Sequence, residues 1–203
     1  LKIGIIVDGD AESQALKLLT RRVEIKDTQL LDPLYANMQP KDAPGQIARA
    51  AKRQIDILIA KGADKIIVLI DREDNRKCAD EIAGEIETAF DRLGCANTTV
   101  VIKNRKFENW LIADVGVFRK LKARYKVTKS FETAVVPNKA DSVADAEALL
   151  NQIVVKVVYH KRRDAAQITG LQKVAEIGKN SRSFRRFLRV VGYSTYTNQS
   201  KNP

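Results

Sequence analysis

Two short apolar runs that each end in a group of acids constrain this chain more than any other feature. Ile3-Gly4-Ile5-Ile6-Val7 reads as a strand buried on both faces, since no polar residue alternates through it. Asp8-Gly9 is a turn signal at its carboxyl end. Ala15, Leu18, Leu19 and Arg22 then recur at helical spacing, which predicts a helix over Ala11–Arg22. Lys65–Ile70 repeats the design and runs into Asp71-Arg72-Glu73-Asp74. In open α/β sheets, ligands bind beyond the carboxyl ends of the strands. Asp8, Glu12, Asp71, Glu73 and Asp74 fall at that position, while Asp10 reads as a helix cap. If the two strands are parallel and close, the acids share one rim and repel each other unless a cation neutralises them. Oxygen-only ligands select hard ions, so Mg²⁺ or Mn²⁺ is the expected counter-charge.

The remaining pattern supports such a sheet. Leu30–Ala36 reads as an extended edge segment, because Pro33 cannot donate to a ladder. A helix from Gly45 to Lys61 carries an apolar stripe of Ile47, Ala51, Ile55, Leu58 and Ile59, and Gly62 ends it. A third helix is expected over Arg76–Leu93 and a fourth strand over Thr99–Ile102. Strands alternating with helices of this length predict a parallel, doubly wound sheet. Phe107, Trp110 and Leu111 pack under a short helix, which places Glu108 on the same rim as Asp8 and Asp71. Farther on, Val115–Ser130 reads as basic and helical at first, and Phe131–Pro137 as extended. Lys139–Gln152 reads as a helix whose Ser142–Asp145 start resembles a capping box. Ile153–Tyr159 reads as a strand or as that helix continued. Ser181–Leu188 reads as a capped final helix with Phe184 and Phe187 in the core.

Charge divides the chain. Residues 1–100 carry 15 basic and 17 acidic side chains, whereas residues 156–203 carry 11 and 2. An acid-tipped first half joined to a basic second half suits a polyanion, DNA or RNA, held over a carboxylate–metal centre. No run of 18 apolar residues exists to span a membrane. With a strand expected from the first residues, no signal peptide is expected. Cys78 and Cys95 lack metal-site spacing and are expected reduced, so a cytoplasmic protein is expected. A single histidine, His160, argues against zinc and Ser-His-Asp chemistry.

At these residues the chain resembles a toprim domain, the Rossmann-like fold of topoisomerases, bacterial primases and overcoming-lysogenization-defect nucleases. Asp8-Gly9 stands for the acid–glycine after strand one, Glu12 for the second acid of an EGxxE variant, and Asp71-Arg72-Glu73 for the DxD pair. Lys106-Phe107-Glu108-Asn109-Trp110-Leu111-Ile112-Ala113-Asp114 is similar to the HEFEALLFAD-like segment of a small bacterial toprim-like family of unknown function. The segments Lys161–Ala166 and Ser181–Phe187 resemble the ending of that family. The chain departs from the pattern at Asp8, where the family has Glu, and at Glu73, where it has Asp. Each change moves a carboxylate by about 1.5 Å, one carbon–carbon bond. The resemblance implies a toprim-like core over 1–115 with a basic and mostly helical extension over 116–192 packed on it, and the polar composition after Gly192 predicts an unstructured tail over 193–203. It also implies a metal-dependent nuclease, a role in phage defence and a partner protein such as an ATPase.

Phosphodiester cleavage needs an activated water, an in-line leaving oxygen and charge neutralisation, which two metals about 3.5–4 Å apart supply together. Asp8 and Asp71 are the expected principal ligands, with Glu12 and Glu73 completing the shell and Asp74 supporting it. Glu108 is a candidate outer acid or base, and Lys161 a candidate for neutralising the transition-state phosphate. Lys106, Arg162, Arg163, Arg182, Arg185 and Arg186 are the expected contacts to the strand. Three alternatives remain open on sequence: a haloacid-dehalogenase-like phosphatase with Asp8 as nucleophile, a receiver-type switch, and a nucleic-acid- or partner-binding protein with a degenerate site.

Overall fold

The computed structural model describes residues 1–196. The chain is an α/β protein with a mainly parallel, Rossmann-like sheet flanked by helices. Its elements are β1 (Lys2–Val7), α1 (Asp10–Thr20), β2 (Gln29–Leu30), β3 (Leu34–Tyr35), α2 (Pro44–Ala60), β4 (Lys65–Asp71), α3 (Ala79–Arg92) and β5 (Thr98–Lys103). Seven short helices follow: α4 (Phe107–Ile112), α5 (Val115–Lys120), α6 (Lys129–Val135), α7 (Ala146–Ile153), α8 (Lys161–Thr169), α9 (Val174–Asn180) and α10 (Arg182–Val190). Val7 pairs with Leu69, and Asp71 with Lys103, all in parallel register. Both β2 and β3 pair with β1, so Asp32-Pro33 interrupts a single edge. The chain leaves β1 toward that edge and returns to β4 on the other side. The gap between the ends of β1 and β4 is therefore the topological switch point, where sheets of this kind bind ligands.

Strand alternation sorts the core into two layers. Ile3, Ile5, Val7, Ile67, Leu69 and Val101 face α1 and the helices from α4 onward. Ile6, Ile66, Val68, Ile70, Val100 and Ile102 face α2 and α3. Gly4 is required by that second layer, since a Cβ there would lie 2.8 Å from Leu58 Cδ1 and 2.9 Å from Ile66 Cδ1. The first layer continues without a break into Trp110, whose ring meets Phe107, Phe184 and Phe187 at centroid separations of 6.1, 5.0 and 5.7 Å. Helix α4 is wholly buried, so its terminal carbonyls need donors. Gln172 Nε2 supplies Trp110 and Leu111 at 2.9 and 3.1 Å, and Asn180 Nδ2 supplies Ala113 at 2.8 Å.

Several local expectations are corrected. Phe131–Pro137 is not extended: Thr128 Oγ1 accepts the Phe131 N–H at 3.2 Å, starting α6, and Phe131 and Val135 bury one face of it. The long helix expected over Lys139–Gln152 is a 3-10 turn (Ala140–Ser142) and then α7, capped by Asp145 through the Ala148 N–H at 2.9 Å. Ile153–Tyr159 is neither strand nor helix beyond Ile153, and makes one bridge, Val154 to Tyr125. Ile59 is 54% exposed, one position off the buried stripe of α2. Ser194–Tyr196 forms a 3-10 turn with Tyr193 and Tyr196 stacked, so the first part of the expected tail is ordered. Residues 197–203 lie outside the described residues.

Candidate metal centre

The acids at the ends of β1 and β4 converge. One ligand oxygen each from Asp8, Glu12 and Asp71 lies within 4.8 Å of the other two. Backbone geometry fixes the arrangement. Asp8 Oδ2 accepts the Asp71 N–H at 2.8 Å, tying the end of β1 to the end of β4. Glu12 sits in the first turn of α1, where negative charge is favoured. Asp10 is not the cap: Gly9 holds that position, and Asp10 pairs with Arg162 from α8. A Cβ at Gly9 would lie 3.3 Å from Glu12 Cβ, so glycine lets the turn close against the acid.

A fourth residue completes the cluster. Lys103 is fully buried, and its Nζ lies 2.8 Å from Asp8 Oδ1, 2.5 Å from Glu12 Oε2 and 2.9 Å from Asp71 Oδ1. The Phe107 ring covers it at 5.9 Å. Sequence reasoning missed this residue by ending the strand at Ile102. Alternation carries Val101 to Lys103 on the same face as Leu69 and Asp71, and the register sets Lys103 directly beside Asp71.

Burial opposes charge on Lys103, but Asp71, Asp8 and Glu12 together raise its ammonium above the ordinary lysine range. Burial pushes the Asp71 carboxyl up to about 7, against the pull of Lys103 and with the push of Asp8. Burial likewise holds Glu12 well above the usual carboxyl range. With all three acids ionised around one ammonium, the cluster would hold an excess of negative charge away from water, which is why burial keeps these carboxyls raised. Glu12 Oε1 is buried with no hydrogen-bond partner among the described residues. An oxygen-only donor set with an orphaned oxygen and excess negative charge fits a hard divalent cation.

The other expected site residues divide into two groups. Glu73, Glu108 and Lys161 line the same cavity of about 210 Å³ as the triad. The chain leaves β4 through a left-handed turn at Glu73 (φ 49°), which breaks the alternation that would set it beside Asp71. Its carboxylate lies 3.4 Å from Lys41 instead. Glu108 is buried, with Oε1 3.3 Å from Lys161 Nζ, and Lys161 also approaches Glu147 at 3.7 Å. Burial disfavours charge on Lys161, and Glu108 and Glu147 more than offset this, so its pKa is raised. Tyr159, also missed in the sequence, lines the cavity with a buried hydroxyl lacking a partner among the described residues.

Asp74 is exposed and borders a different cavity with Asn75 and Arg76. Arg182 and Arg186 line a third, of about 420 Å³, between α3 and α10. Arg185 is not free for a phosphate backbone, since it donates to the Gly178 carbonyl at 2.7 Å and to Asn138 Oδ1 at 3.0 Å. Arg163 is engaged by Asp164, and Lys106 stands at the N-terminal boundary of α4.

Fold and site define an α/β protein with a carboxylate–lysine centre at the switch point of its sheet. The chain belongs to the family described as a domain of unknown function (DUF4276), which matches residues 9–191. That span includes Glu12, Asp71, Lys103, Glu108 and Lys161. No curated protein and no solved structure matches the chain.

Proposed function

We propose that this protein is a toprim-type, Mg²⁺- or Mn²⁺-dependent nuclease that hydrolyses phosphodiesters of DNA or RNA. The observation that carries the reading is the convergence of Asp8, Glu12 and Asp71 within 4.8 Å at the switch point, with Glu12 Oε1 unpartnered among the described residues. These three residues would hold the ion. A bound divalent ion supplies charge neutralisation at the phosphoryl group and a more acidic water.

The chain's own residues supply the rest. The Asp71 N–H fixes Asp8, and Lys103 fixes one oxygen of each carboxylate, so the ligands are set before substrate arrives. Lys161 stands at the cavity with its charge maintained by Glu108 and meets the phosphate as a cation. Glu108, paired with Lys161 at 3.3 Å beside the triad, is the candidate outer acid or base. Arg162, largely exposed on α8, extends the positive surface past Asp10. Phe107 and Tyr159 exclude water from the inner wall.

Incubation of the purified chain with plasmid and with short RNA, in Mg²⁺ or Mn²⁺ and beside Asp71→Ala, tests the reading. Metal-dependent cleavage lost in the variant supports it; equal cleavage by both proteins, or none with any metal, overturns it. One observation favours a second reading: Lys103 already touches all three carboxylates and is itself a counter-charge. A protein that binds nucleic acid without cutting it would show salt-dependent binding indifferent to Mn²⁺. A cytoplasmic location accords with Cys78 and Cys95 both being free thiols. No helix among the described residues is long and apolar enough to cross a membrane. Phage defence and an ATPase partner rest on the toprim resemblance alone.

A further inference from the structure

We propose that Lys103 is the built-in second cation of this centre, so that the site takes one divalent ion and not two. The inference rests on the metal-dependent reading above and specifies what the centre holds. Three facts support it. The ammonium is in contact with one oxygen from every acid of the triad, at 2.5 to 2.9 Å, so it already supplies a positive charge that all three share. Both Asp8 oxygens already carry one contact, Oδ1 from the ammonium and Oδ2 from the Asp71 N–H, so a single lone pair remains on each, enough to ligate one ion. Two buried oxygens of the triad lack a hydrogen bond among the described residues: Asp71 Oδ1, which faces the ammonium at 2.9 Å, and Glu12 Oε1, which is left for a further ligand contact.

Charge gives the same count. Three carboxylates and one ammonium leave two negative charges, matched by one divalent ion. Two divalent ions would leave a surplus of two positive charges, and a bound phosphodiester would remove only one of them. In a site walled by Phe107 that surplus is costly. The neighbouring acids do not relieve it, because each has its own cation: Asp10 has Arg162, Glu73 has Lys41 and Glu108 has Lys161. Lys103 touches the ligands and not the substrate, so its role is positioning: it holds the three carboxylates together and sets how many ions they accept.

Mn²⁺ titration of the full chain, read by equilibrium dialysis and electron paramagnetic resonance, tests this. The wild-type protein is expected to bind about one Mn²⁺ per chain with the spectrum of an isolated ion. Lys103→Met is expected to bind about two, with a spin-coupled spectrum, because the oxygens released by the ammonium become ligands. A merely structural lysine would leave the stoichiometry at one in both proteins, and that result overturns the inference. Two coupled Mn²⁺ ions in the wild-type protein also overturn it, while metal-dependent cleavage in the same buffer would leave the nuclease reading standing. No bound Mn²⁺ overturns both. If Lys103→Met fails to fold by circular dichroism, the wild-type stoichiometry decides alone.

Discussion

The same two strands end differently on the two faces of the sheet. On the face covered by α1 and α8, alternation through β4 and β5 ends in Asp71 and Lys103, a buried ionic pair joined by Asp8 and Glu12. On the face covered by α2 and α3, the next residues are Arg72 and Asn104. There Arg72 donates to Asn104 Oδ1 at 3.1 Å and to the Lys77 carbonyl at 3.1 Å, and Asn104 Nδ2 donates to the Asp141 carbonyl at 3.2 Å. One pair of strand ends is satisfied and fastens loops. The other holds excess charge and an orphaned oxygen, which is an arrangement folding alone does not favour.

Substitution at the two faces should therefore separate activity from structure. Asp71→Asn is expected to lower metal-dependent cleavage by about 10²–10³-fold, the order seen when one preorganised charge-stabilising group is removed. Arg72→Met, one residue away, is expected to stay within a few-fold in the same plasmid assay. Comparable losses in both would abolish the distinction between the faces.

Stability should sharpen the contrast. Lys103→Met leaves three carboxylates without their buried partner, and urea titration at neutral pH in a chelator is expected to show a loss of about 3–5 kcal/mol. Arg72→Met removes half-exposed hydrogen bonds and should cost about 1–2 kcal/mol. A smaller loss for Lys103→Met than for Arg72→Met would mean that the buried cluster is not under charge strain.

The pH dependence follows from the same excess charge. Asp71 titrates at about 7 in the folded chain, above its unfolded value, through burial opposed by Lys103 and aided by Asp8. Its contribution to stability is fully present below the unfolded carboxyl range and is lost as pH rises through about 7. In chelator, Asp71→Asn should therefore melt close to wild type at mildly acidic pH and above it at alkaline pH. Mn²⁺ should raise the wild-type melting temperature most where Asp71 is ionised. Melting curves that run parallel from acidic to alkaline pH would show that Asp71 does not titrate across that range on folding, against the raised value.

What the sequence disclosed follows a physical division. Asp8, Glu12 and Asp71 are legible because each stands at or just past the end of an apolar run, so local pattern alone carries them to the rim. Lys103 required the register between β4 and β5 as well, and in isolation it reads as the first residue of a basic loop. Arg185 reads as free because its partners leave no mark in the residue pattern: one is the backbone carbonyl of Gly178 in the preceding helix, and the other, Asn138, is 47 residues away. The helix α6 was hidden for a different reason. Its Val135-Val136-Pro137 ending has extended propensity, while the Thr128 cap that starts the helix lies upstream of the segment expected to be a strand.

The mildest expected effect lies at Gly9. Its backbone is extended at φ −125° and ψ 130°, so alanine is conformationally tolerated there. A methyl group would nonetheless lie 3.3 Å from Glu12 Cβ and 3.6 Å from Glu12 Oε2, close enough to push that acid by a few tenths of an ångström. Since a misplacement of about 1 Å can cost about 10²-fold, Gly9→Ala should reduce cleavage by less than about 10-fold while leaving the urea midpoint nearly unchanged. Gly4→Ala makes the matching probe in the apolar layer, where the added methyl meets Leu58 and Ile66. There the midpoint should fall and the specific activity of the folded fraction should hold. Reversal of those two outcomes would place the sensitive packing around the acids, and the tolerant packing in the core beneath them.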